Sequence, residues 1–383
     1  MDISLTDEQQ MLKEVSRKFC QEQMAPLVLK AEREQEFPRH IYPKMAELGF
    51  LGMSAPEQYG GAGLGKIEEC IFIEELAAVA GGFASSWMVQ SGVLPSVLAA
   101  YGTEEQKRNY LVPMLRGEKI GSLAVTEAEA GSDVRNISTT AKPDGNGFVI
   151  NGSKMFITQG TVCDFAVVLA ITDKSKGIDG MDMFIVDRSS SGFSSTKLPK
   201  TAYRSSETAV LNFDNVRVSA DAVMGGNESQ GFRGMMKTFV GERILVCGRS
   251  VGIAASAVSA ATQYAKERKQ FGQPIGTYQA IAFRIAEMAT QLEAARLFTQ
   301  YAAWLWDTGK PHVQQVAMAK LFTTEAAAEI TEKALRIFGG YGLVEEAFPA
   351  QRAFMDARVS LVTVGSSEIQ KRAIAKQLGL PCQ

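Results

Sequence analysis

A carboxylate and a guanidinium stand side by side in the apolar segment MMKTFVGERILVCG, as Glu242 and Arg243. The surrounding residues predict a mostly apolar helix, in which a carboxyl group is removed from water. Desolvation disfavours the charged form and raises the pKa of a carboxyl group, which suits a general base that works near neutral pH. A solvated ion pair on the surface of a helix is the ordinary alternative for the same two residues.

Three further short motifs carry groups that bind anions or ring systems. The turn TEAEAGSD (126–133) follows a predicted strand and offers hydroxyl groups and backbone amides to an anion or to the edge of a flavin. The segment KMFITQG (154–160) ends a predicted strand with an aromatic residue and a threonine. The segment KERKQFGQPI (266–275) ends a helix with a basic cluster that can grip a pyrophosphate. Each also has a purely structural interpretation, as a loop, a core strand and a solvated helix end.

Composition and charge narrow the class of protein. The chain has 383 residues, of which 46% are hydrophobic and 21% charged, as in a globular protein with a large core. Its net charge of −2 gives no electrostatic basis for binding nucleic acid. Charges and glycines interrupt the apolar runs and the N-terminus lacks a signal-peptide pattern, so no membrane span and a cytoplasmic protein are expected. Five scattered cysteines and two histidines predict no metal site.

The segments that carry this chemistry lie on three successive parts of the chain. Residues 1–118 have apolar positions at three- and four-residue spacing and predict an N-terminal α-helical domain. Residues 119–228 alternate in polarity and predict a middle β domain, antiparallel because no helices intervene between its strands. Residues 229–383 return to long, Ala-rich helices and predict a C-terminal α-helical domain, so the fold class is α+β. The candidate helices of this last domain are 232–268, 277–307, 312–338 and 367–378.

Seven sequence motifs follow one another in a distinctive order: PEQYGG at 56, GTEEQK at 102, VTEAEAGSD at 125, NGSKMFIT at 151, ERKQFGQPI at 267, FGGYG at 338 and GSSEIQKR at 365. Their order and spacing resemble the acyl-CoA dehydrogenase family of flavoproteins over essentially the whole chain. The resemblance implies an acyl-CoA dehydrogenase-like fold, with a middle antiparallel β-barrel or sandwich and a C-terminal four-helix bundle. It also implies FAD as cofactor, an electron-transfer flavoprotein as partner, and a homo-oligomer that is a tetramer or a dimer.

The same resemblance implies roles for individual residues. The isoalloxazine ring would be lined and hydrogen-bonded by Val125, Thr126, Phe156 and Thr158. The FAD of a neighbouring subunit would be reached by Arg268, Gln270, Phe271, Gln279 and Gly340. Further contacts with FAD would come from Ser366 and Glu368. The thioester chain, with its pantetheine or phosphates, would be held by Arg243 and by Ser132, which would also contact the cofactor.

One position departs from the family in a way that bears on catalysis. Most members carry a glutamate base directly before the glycine of the GSSEIQ motif, where this chain has Val364. A valine side chain cannot accept a proton, but its backbone N–H can still donate to a thioester oxygen. Some relatives carry the base on the central helix before an arginine, the position of Glu242. The resemblance thus implies FAD-dependent α,β-dehydrogenation of an acyl thioester, with Glu242 taking the Cα proton and flavin N5 the Cβ hydride.

Several alternatives remain open from the sequence. The same site can run in reverse, as an enoyl-CoA reductase of the crotonobetainyl-CoA type, or can act on a thioester carried by an acyl-carrier protein. Loss of the usual base also fits a non-catalytic flavin-binding protein, against which the position of Glu242 argues. Further departures from the family favour a short, branched or otherwise atypical acyl group, and they lie at Ala128, Val240, Arg336 and Met355.

Overall fold

The computed structural model describes residues 4–226, 231–344 and 349–382. Helices come first along the chain, a β-sheet follows, and a second set of helices completes it, as the hydrophobic periodicity predicts. The predicted boundary between the middle and C-terminal domains, between residues 228 and 229, lies outside the described residues.

The N-terminal part is helical but not continuous. Its α-helices are separated in part by turns of wider, π-helical winding at Cys20–Met24, Met88–Val93 and Lys107–Leu111. The helical pattern predicted over residues 1–118 is therefore divided into short helices. The α-helices are α1 (Asp7–Phe19), α2 (Val28–Glu34), α3 (Tyr42–Glu47), α4 (Lys66–Val79), α5 (Gly81–Trp87), α6 (Leu94–Tyr101), α7 (Glu104–Gln106) and α8 (Val112–Leu115).

Two of these helices begin with a capping box, a pair of reciprocal hydrogen bonds between a threonine and a glutamine. At the start of α1 the Gln9 N–H donates to Thr6 Oγ1 (3.3 Å), while the Thr6 N–H donates to Gln9 Oε1 (3.1 Å). Thr103 and Gln106 make the same pair of bonds at the start of α7, at 3.2 and 3.0 Å. A threonine followed three residues later by a glutamine satisfies amides that have no partner inside the helix. Both α1 and α7 therefore begin at a capping box.

The middle part is a seven-stranded sheet of mixed direction. Its strand order is β1-β4-β2-β3-β7-β6, with β5 paired to β4. Most neighbours are antiparallel, but β1 and β2 both run parallel to β4, so the prediction of a purely antiparallel sheet was wrong. The β2–β3 hairpin lies between β1 and β4 in the chain and provides the crossover that a parallel pair needs. The strands are β1 (Gly121–Ala124), β2 (Thr140–Asp144), β3 (Gly147–Thr158), β4 (Phe165–Ile171), β5 (Met181–Asp187), β6 (Phe193–Lys197) and β7 (Thr208–Ser219).

The C-terminal part is built from four long helices that pack on one another and a fifth that follows them. The helix between residues 349 and 362 was not among those predicted, and it takes the fourth place in the bundle. A two-stranded hairpin, β8 (Lys269–Gln270) and β9 (Gln273–Pro274), separates the first two helices. The helices are α9 (Gly231–Glu267), α10 (Gln279–Asp307), α11 (Val313–Phe338), α12 (Pro349–Val362) and α13 (Ser367–Gln377).

The longest helix, α9, is the one around which the others pack. Within the described ranges it alone is long and apolar enough to cross a membrane, with a mean hydropathy of 1.6 over its most apolar window, a property that reading the sequence missed. That window is 72% buried, because α4, α10, α11 and α12 all pack against the helix. The apolar surface of α9 is thus accounted for by the protein core.

Glycines allow α4 to approach α9 closely. A Cβ added at Gly252 would lie 2.2 Å from the carbonyl oxygen of Glu74, and one added at Gly248 would lie 2.8 Å from the side chain of Ile73. Both distances are shorter than van der Waals contact, so only glycine fits at these positions. The close packing fixes α4 relative to the part of α9 that carries Glu242.

Candidate active site

Glu242 lies on α9 and borders a cavity of about 340 Å³. The other walls come from α4, from α6 with the π-helical turn before it, and from the end of α10. Burial raises the pKa of the Glu242 carboxyl group to about 7, although the positive charges of Arg249, Arg243 and Lys66 act in the opposite direction. The shift has the direction that the apolar segment predicts, and the Glu242 residue is half-buried. A carboxyl group that is about half ionised at neutral pH, and that borders a cavity, has the properties of a general base.

A buried ion pair lies in the wall of the same cavity. The ammonium of Lys66 donates to Glu69 Oε2, and the two side chains are only 7% and 0% exposed. The second carboxylate oxygen, Glu69 Oε1, accepts a hydrogen bond of 2.8 Å from the hydroxyl of Ser54. Lys66 and Glu69 thus each have a partner within the protein, which offsets the cost of removing their charges from water.

The end of α10 closes this side of the cavity by capping α4. Asp307 Oδ1 accepts from the N–H of Lys66 (2.7 Å), and Asp307 Oδ2 accepts from the N–H of Ile67 (3.1 Å). Burial raises the pKa of Asp307, and the same two backbone bonds lower it. Sequence reasoning missed Lys66, Glu69 and Asp307 as site residues, since only the three-residue spacing of the first two is a local signal.

Val364 lies in the turn between α12 and α13 and has a left-handed backbone, with φ = 55°. That conformation is unusual for a β-branched residue and marks a position whose backbone geometry is imposed by its surroundings. Arg243 Nε donates to the Val364 carbonyl oxygen (3.3 Å), and Arg249 Nη2 donates to Thr363 Oγ1 (3.4 Å). Two arginines of α9 therefore hold this turn beside the helix that carries Glu242.

The four residues expected to line an isoalloxazine ring come from two neighbouring places in the sheet. Val125 and Thr126 follow β1, whereas Phe156 and Thr158 lie at the end of β3. The Met155 N–H donates to the carbonyl oxygen of Thr126 (2.8 Å), which ties the two segments together. Phe156 has φ = 62° and is 61% exposed, at an irregularity in the pairing of β3 with β7. An exposed aromatic ring at a bulge is aimed away from the core, as a binding residue is.

A second buried ion pair supports these segments from behind. Lys154 Nζ donates to Glu127 Oε1 (2.9 Å) and to the carbonyl oxygen of Val125 (3.0 Å). The Glu127 carboxylate also accepts bonds from the backbone N–H and side-chain hydroxyl groups of Ser138 and Thr139. Burial would raise the pKa of Glu127, but these hydrogen bonds and Lys154 lower it to about 2. The pair fixes the backbone on both sides of Thr126.

A separate cavity of about 590 Å³ gathers four of the residues expected to reach a neighbouring subunit's FAD. Arg268, Gln270 and Phe271 come from the β8–β9 hairpin region, and Gly340 follows α11. The guanidinium of Arg268 lies 5.6 Å from the ring centre of Tyr341. A guanidinium among aromatic rings is suited to a phosphate that is joined to a heterocycle.

The four remaining residues predicted to bind cofactor or substrate lie in a turn and at the starts of two helices. Ser132 is exposed in the turn after β1, and Gln279 is exposed at the first position of α10. Ser366 caps α13 by accepting from the Ile369 N–H (3.4 Å), and Glu368 is exposed in the first turn of that helix. Ser366 and Glu368 follow Val364, whose carbonyl oxygen accepts the bond from Arg243.

Family models match three consecutive parts of the chain. Residues 6–118 match the acyl-CoA dehydrogenase N-terminal domain, residues 122–216 the middle domain, and residues 229–379 the C-terminal domain. Together these matches span nearly the whole sequence and agree with the helix, sheet and helix order of the structure.

Individual proteins are similar over the same length. The chain is 39% identical to the acryloyl-CoA reductase (NADH) of Anaerotignum propionicum, over 99% of this chain and 96% of that protein. It is 38% identical to CarC, a subunit of the caffeyl-CoA reductase–Etf complex of Acetobacterium woodii, over 97% and 98%. The solved butyryl-CoA dehydrogenase of Megasphaera elsdenii superposes with a TM-score of 0.93 at 35% identity, over 99% and 100%. The chain therefore belongs to the acyl-CoA dehydrogenase family, whose members are FAD-dependent oxidoreductases acting on CH–CH groups.

Proposed function

We propose that this chain dehydrogenates an acyl-CoA thioester between Cα and Cβ, and that Glu242 removes the Cα proton. The observation that carries the proposal is a carboxyl group with a pKa of about 7 bordering a cavity, in a chain whose usual base position is Val364. Proton removal from carbon requires a base within hydrogen-bond reach that is unprotonated at the working pH. Glu242 meets the second condition at neutral pH, and the cavity gives a substrate access to it.

The residues present fit FAD. Thr126 and Thr158 offer hydroxyl groups at the ends of adjoining segments, and the exposed ring of Phe156 offers an apolar surface for a flavin edge. Arg268 lies among aromatic side chains. This setting suits the pyrophosphate and adenine of an FAD molecule whose flavin ring is held by a second copy of the chain. When bound, a flavin supplies the two-electron acceptor for the Cβ hydride.

One group of this chain, the backbone N–H of Val364, is proposed to hold the thioester oxygen while the proton leaves. The backbone N–H of Val364 donates to the thioester oxygen, where negative charge develops as Cα is deprotonated. The bond from Arg243 to the Val364 carbonyl oxygen (3.3 Å) fixes the orientation of this turn. A donor that is already oriented stabilises the developing charge without having to rearrange.

The reverse reaction is a second candidate for the same site. Two relatives at 39% and 38% identity are named as reductases of acryloyl-CoA and caffeyl-CoA. In that direction Glu242 would deliver a proton to Cα of an enoyl thioester, and the same N–H would stabilise the charge on the thioester oxygen. The relative named for an Etf complex supports an electron-transfer flavoprotein as the redox partner in either direction.

Anaerobic mixing of the FAD-loaded protein with a panel of saturated acyl-CoAs tests the proposal. We expect one class of short or branched acyl-CoA to bleach the visible flavin band. In Glu242→Gln the rate should fall by about 10²–10⁴-fold, since the amide cannot take the proton. Glu105→Gln is the matched control, because Glu105 is exposed and does not border the cavity at Glu242. Its flavin should bleach at the normal rate.

Each other result has a defined meaning. Bleaching that persists at the normal rate in Glu242→Gln would exclude Glu242 as the base. A protein that no saturated acyl-CoA bleaches, but whose chemically reduced flavin is reoxidised by enoyl-CoAs, would be a reductase.

A further inference from the structure

Lys66 is a charged residue in a place that local energetics disfavour. It is the first residue of α4, where the helix dipole disfavours a positive charge, and its side chain is only 7% exposed. A buried ion pair such as Lys66–Glu69 is often no more stabilising than apolar residues of the same volume. Stability of the fold therefore gives no sufficient reason for an ammonium group at this position.

The Lys66 side chain packs against the α9 backbone at Gly241, directly before Glu242. A Cβ added at Gly241 would lie 3.3 Å from Lys66 Cε and 3.1 Å from the ring of Trp306. The absence of a side chain at Gly241 thus lets the Lys66 side chain reach α9. Lys66 and Glu242 border the same cavity, and Asp307 holds the backbone of Lys66 in place.

Two other positive charges, those of Arg249 and Arg243, also interact with Glu242. Arg243 is bound to the Val364 carbonyl oxygen and Arg249 to Thr363, so both are committed to the turn after α12. Among the described residues, Lys237, Tyr101 and Asp307 border the same cavity, Glu69 is paired with Lys66, and Lys320 lies near Arg249 and Arg243. Lys66 differs from the arginines because its position depends on the cavity wall and not on the turn.

We propose that Lys66 is a positioning residue for catalysis, whose ammonium group favours the ionised form of Glu242 and so keeps the base ready at neutral pH. The proposal rests on the proposed function, because it assigns to Lys66 an effect on Glu242 as the base. Glu69 holds the Lys66 ammonium by a direct bond, and the Ser54 hydroxyl takes the second Glu69 oxygen. The group acts through its charge and touches no reacting atom.

Acetoacetyl-CoA is a probe that reads the base without any redox step. Its C2 proton is acidic, so the holoenzyme base removes that proton to give the bound enolate, the proton stays on Glu242, and no electrons move. We would record the enolate absorbance against ligand alone over a range of pH, in wild type, Glu242→Gln and Lys66→Met. The midpoint in wild type reports the proton affinity of the free base.

Loss of the ammonium should raise the midpoint in Lys66→Met by about one pH unit, because the positive charge of Lys66 favours the ionised form of the Glu242 carboxyl group. Enolate at a pH below both midpoints should then fall by about tenfold. Lys66→Arg, which keeps the charge, should restore the wild-type midpoint. Lys142→Met removes an exposed positive charge on β2, outside the cavity, and should leave the midpoint unchanged.

The outcomes separate the two proposals. Enolate that forms equally well in Glu242→Gln overturns Glu242 as the base and the role of Lys66 with it. Enolate that is lost in Glu242→Gln, with an unchanged midpoint in Lys66→Met, overturns the role of Lys66 alone. If Lys66→Met does not fold, Glu69→Gln tests the same charge in the opposite direction, because it leaves the Lys66 ammonium without its counter-charge and should lower the midpoint. An unchanged midpoint in Glu69→Gln then overturns the role of Lys66.

Discussion

Glu242 combines two properties that oppose each other in a folded protein. Burial raises the pKa of its carboxyl group to about 7, which makes the group a base of suitable strength at neutral pH. The same burial means that folding must remove water from a carboxylate whenever the pH is high enough to ionise it. Burial of Glu242 is therefore expected to reduce the stability of the protein as the pH rises from about 4.5 to about 7, and the cost remains at higher pH.

The cost of Glu242 has a definite sign with pH. Its pKa is 4.5 in the unfolded chain and about 7 in the fold, so the folded state binds more protons between these values and stability falls as the pH rises. We expect Glu242→Gln to match wild type at pH 4 and to exceed its free energy of unfolding by about 2–3 kcal/mol at pH 8. Chemical denaturation at both pH values measures the difference. Equal stability at pH 8 would show that the carboxylate is not desolvated.

Val364 illustrates what residue types reveal and what they do not. The absence of a carboxylate at this position is readable from the sequence and directs attention to Glu242. The left-handed backbone of Val364 is not readable, because no propensity places a β-branched residue there. Its conformation depends on a hydrogen bond from Arg243, a residue 121 positions earlier in the chain.

At the scale of elements, the ion pair between Lys154 and Glu127 connects β3 to the turn after β1. Lys154 is fully buried, and burial lowers its pKa to about 8. The ammonium nevertheless holds both Glu127 and the Val125 carbonyl oxygen, so two segments that fit a flavin edge share one support. The support is separate from any contact with the cofactor itself.

Lys154→Met should damage this support by leaving the Glu127 carboxylate buried without its charged partner. We expect a loss of about 3–5 kcal/mol in the free energy of unfolding, together with release of FAD during gel filtration. Lys142→Met, on the exposed surface of the neighbouring strand β2, should change neither property. FAD retained at the wild-type ratio in Lys154→Met would contradict the role given to the pair.

Helix α12 shows why one element escaped prediction. Its buried face carries mostly small residues, at Ala350, Ala353, Ala357 and Ser360, with Asp356 between them. Small residues allow close helix packing but give a weak hydrophobic signal, so periodicity of large apolar residues does not mark this segment. The helices α9, α10 and α11 also bury many alanines, but they are about two to three times as long, so their pattern repeats over more turns, and their positions were predicted to within a few residues.

At the scale of the whole molecule, the β8–β9 hairpin projects an apolar ring away from its own chain. Phe271 is 93% exposed, and it occupies the two-residue turn with Gly272, where both residues have positive φ. Such a turn suits two tightly paired strands, but an aromatic residue in its first position is unusual. A second copy of the chain, as the family resemblance implies, gives this exposed ring a surface to contact.

Phe271→Asp should weaken the assembly and the binding of FAD together, because a charge at this tip cannot be buried against a partner. We expect a smaller species by light scattering after gel filtration and a lower ratio of FAD to protein. Leu48→Asp introduces the same charge at an exposed apolar residue of the N-terminal part and should leave both quantities unchanged. An unchanged mass for Phe271→Asp would place the hairpin outside the interface.

The sequence predicted the three-part organisation and many of the segments that come together, but not the cavity beside Glu242. Lys66, Glu69 and Asp307 meet there because α4 packs on α9 and the end of α10 caps α4. Those contacts join residues up to 241 positions apart, and no local pattern records them. Sequence motifs identify residues that share a role within a family, whereas the wall of this cavity is formed by contacts between helices that are distant in the chain.

The π-helical turn at Met88–Val93 determines which side chains reach the cavity. Each residue in a helix advances the side-chain direction by about 100°, so one additional residue within a turn resets the phase of everything that follows. Gly92, Val93 and Ser96 border the cavity in this setting. Deleting a single residue within Met88–Val93 would restore ordinary winding and turn Ser96 away from the cavity. The shape of the cavity thus depends on the number of residues in the π-helical turn as well as on which residues line the cavity.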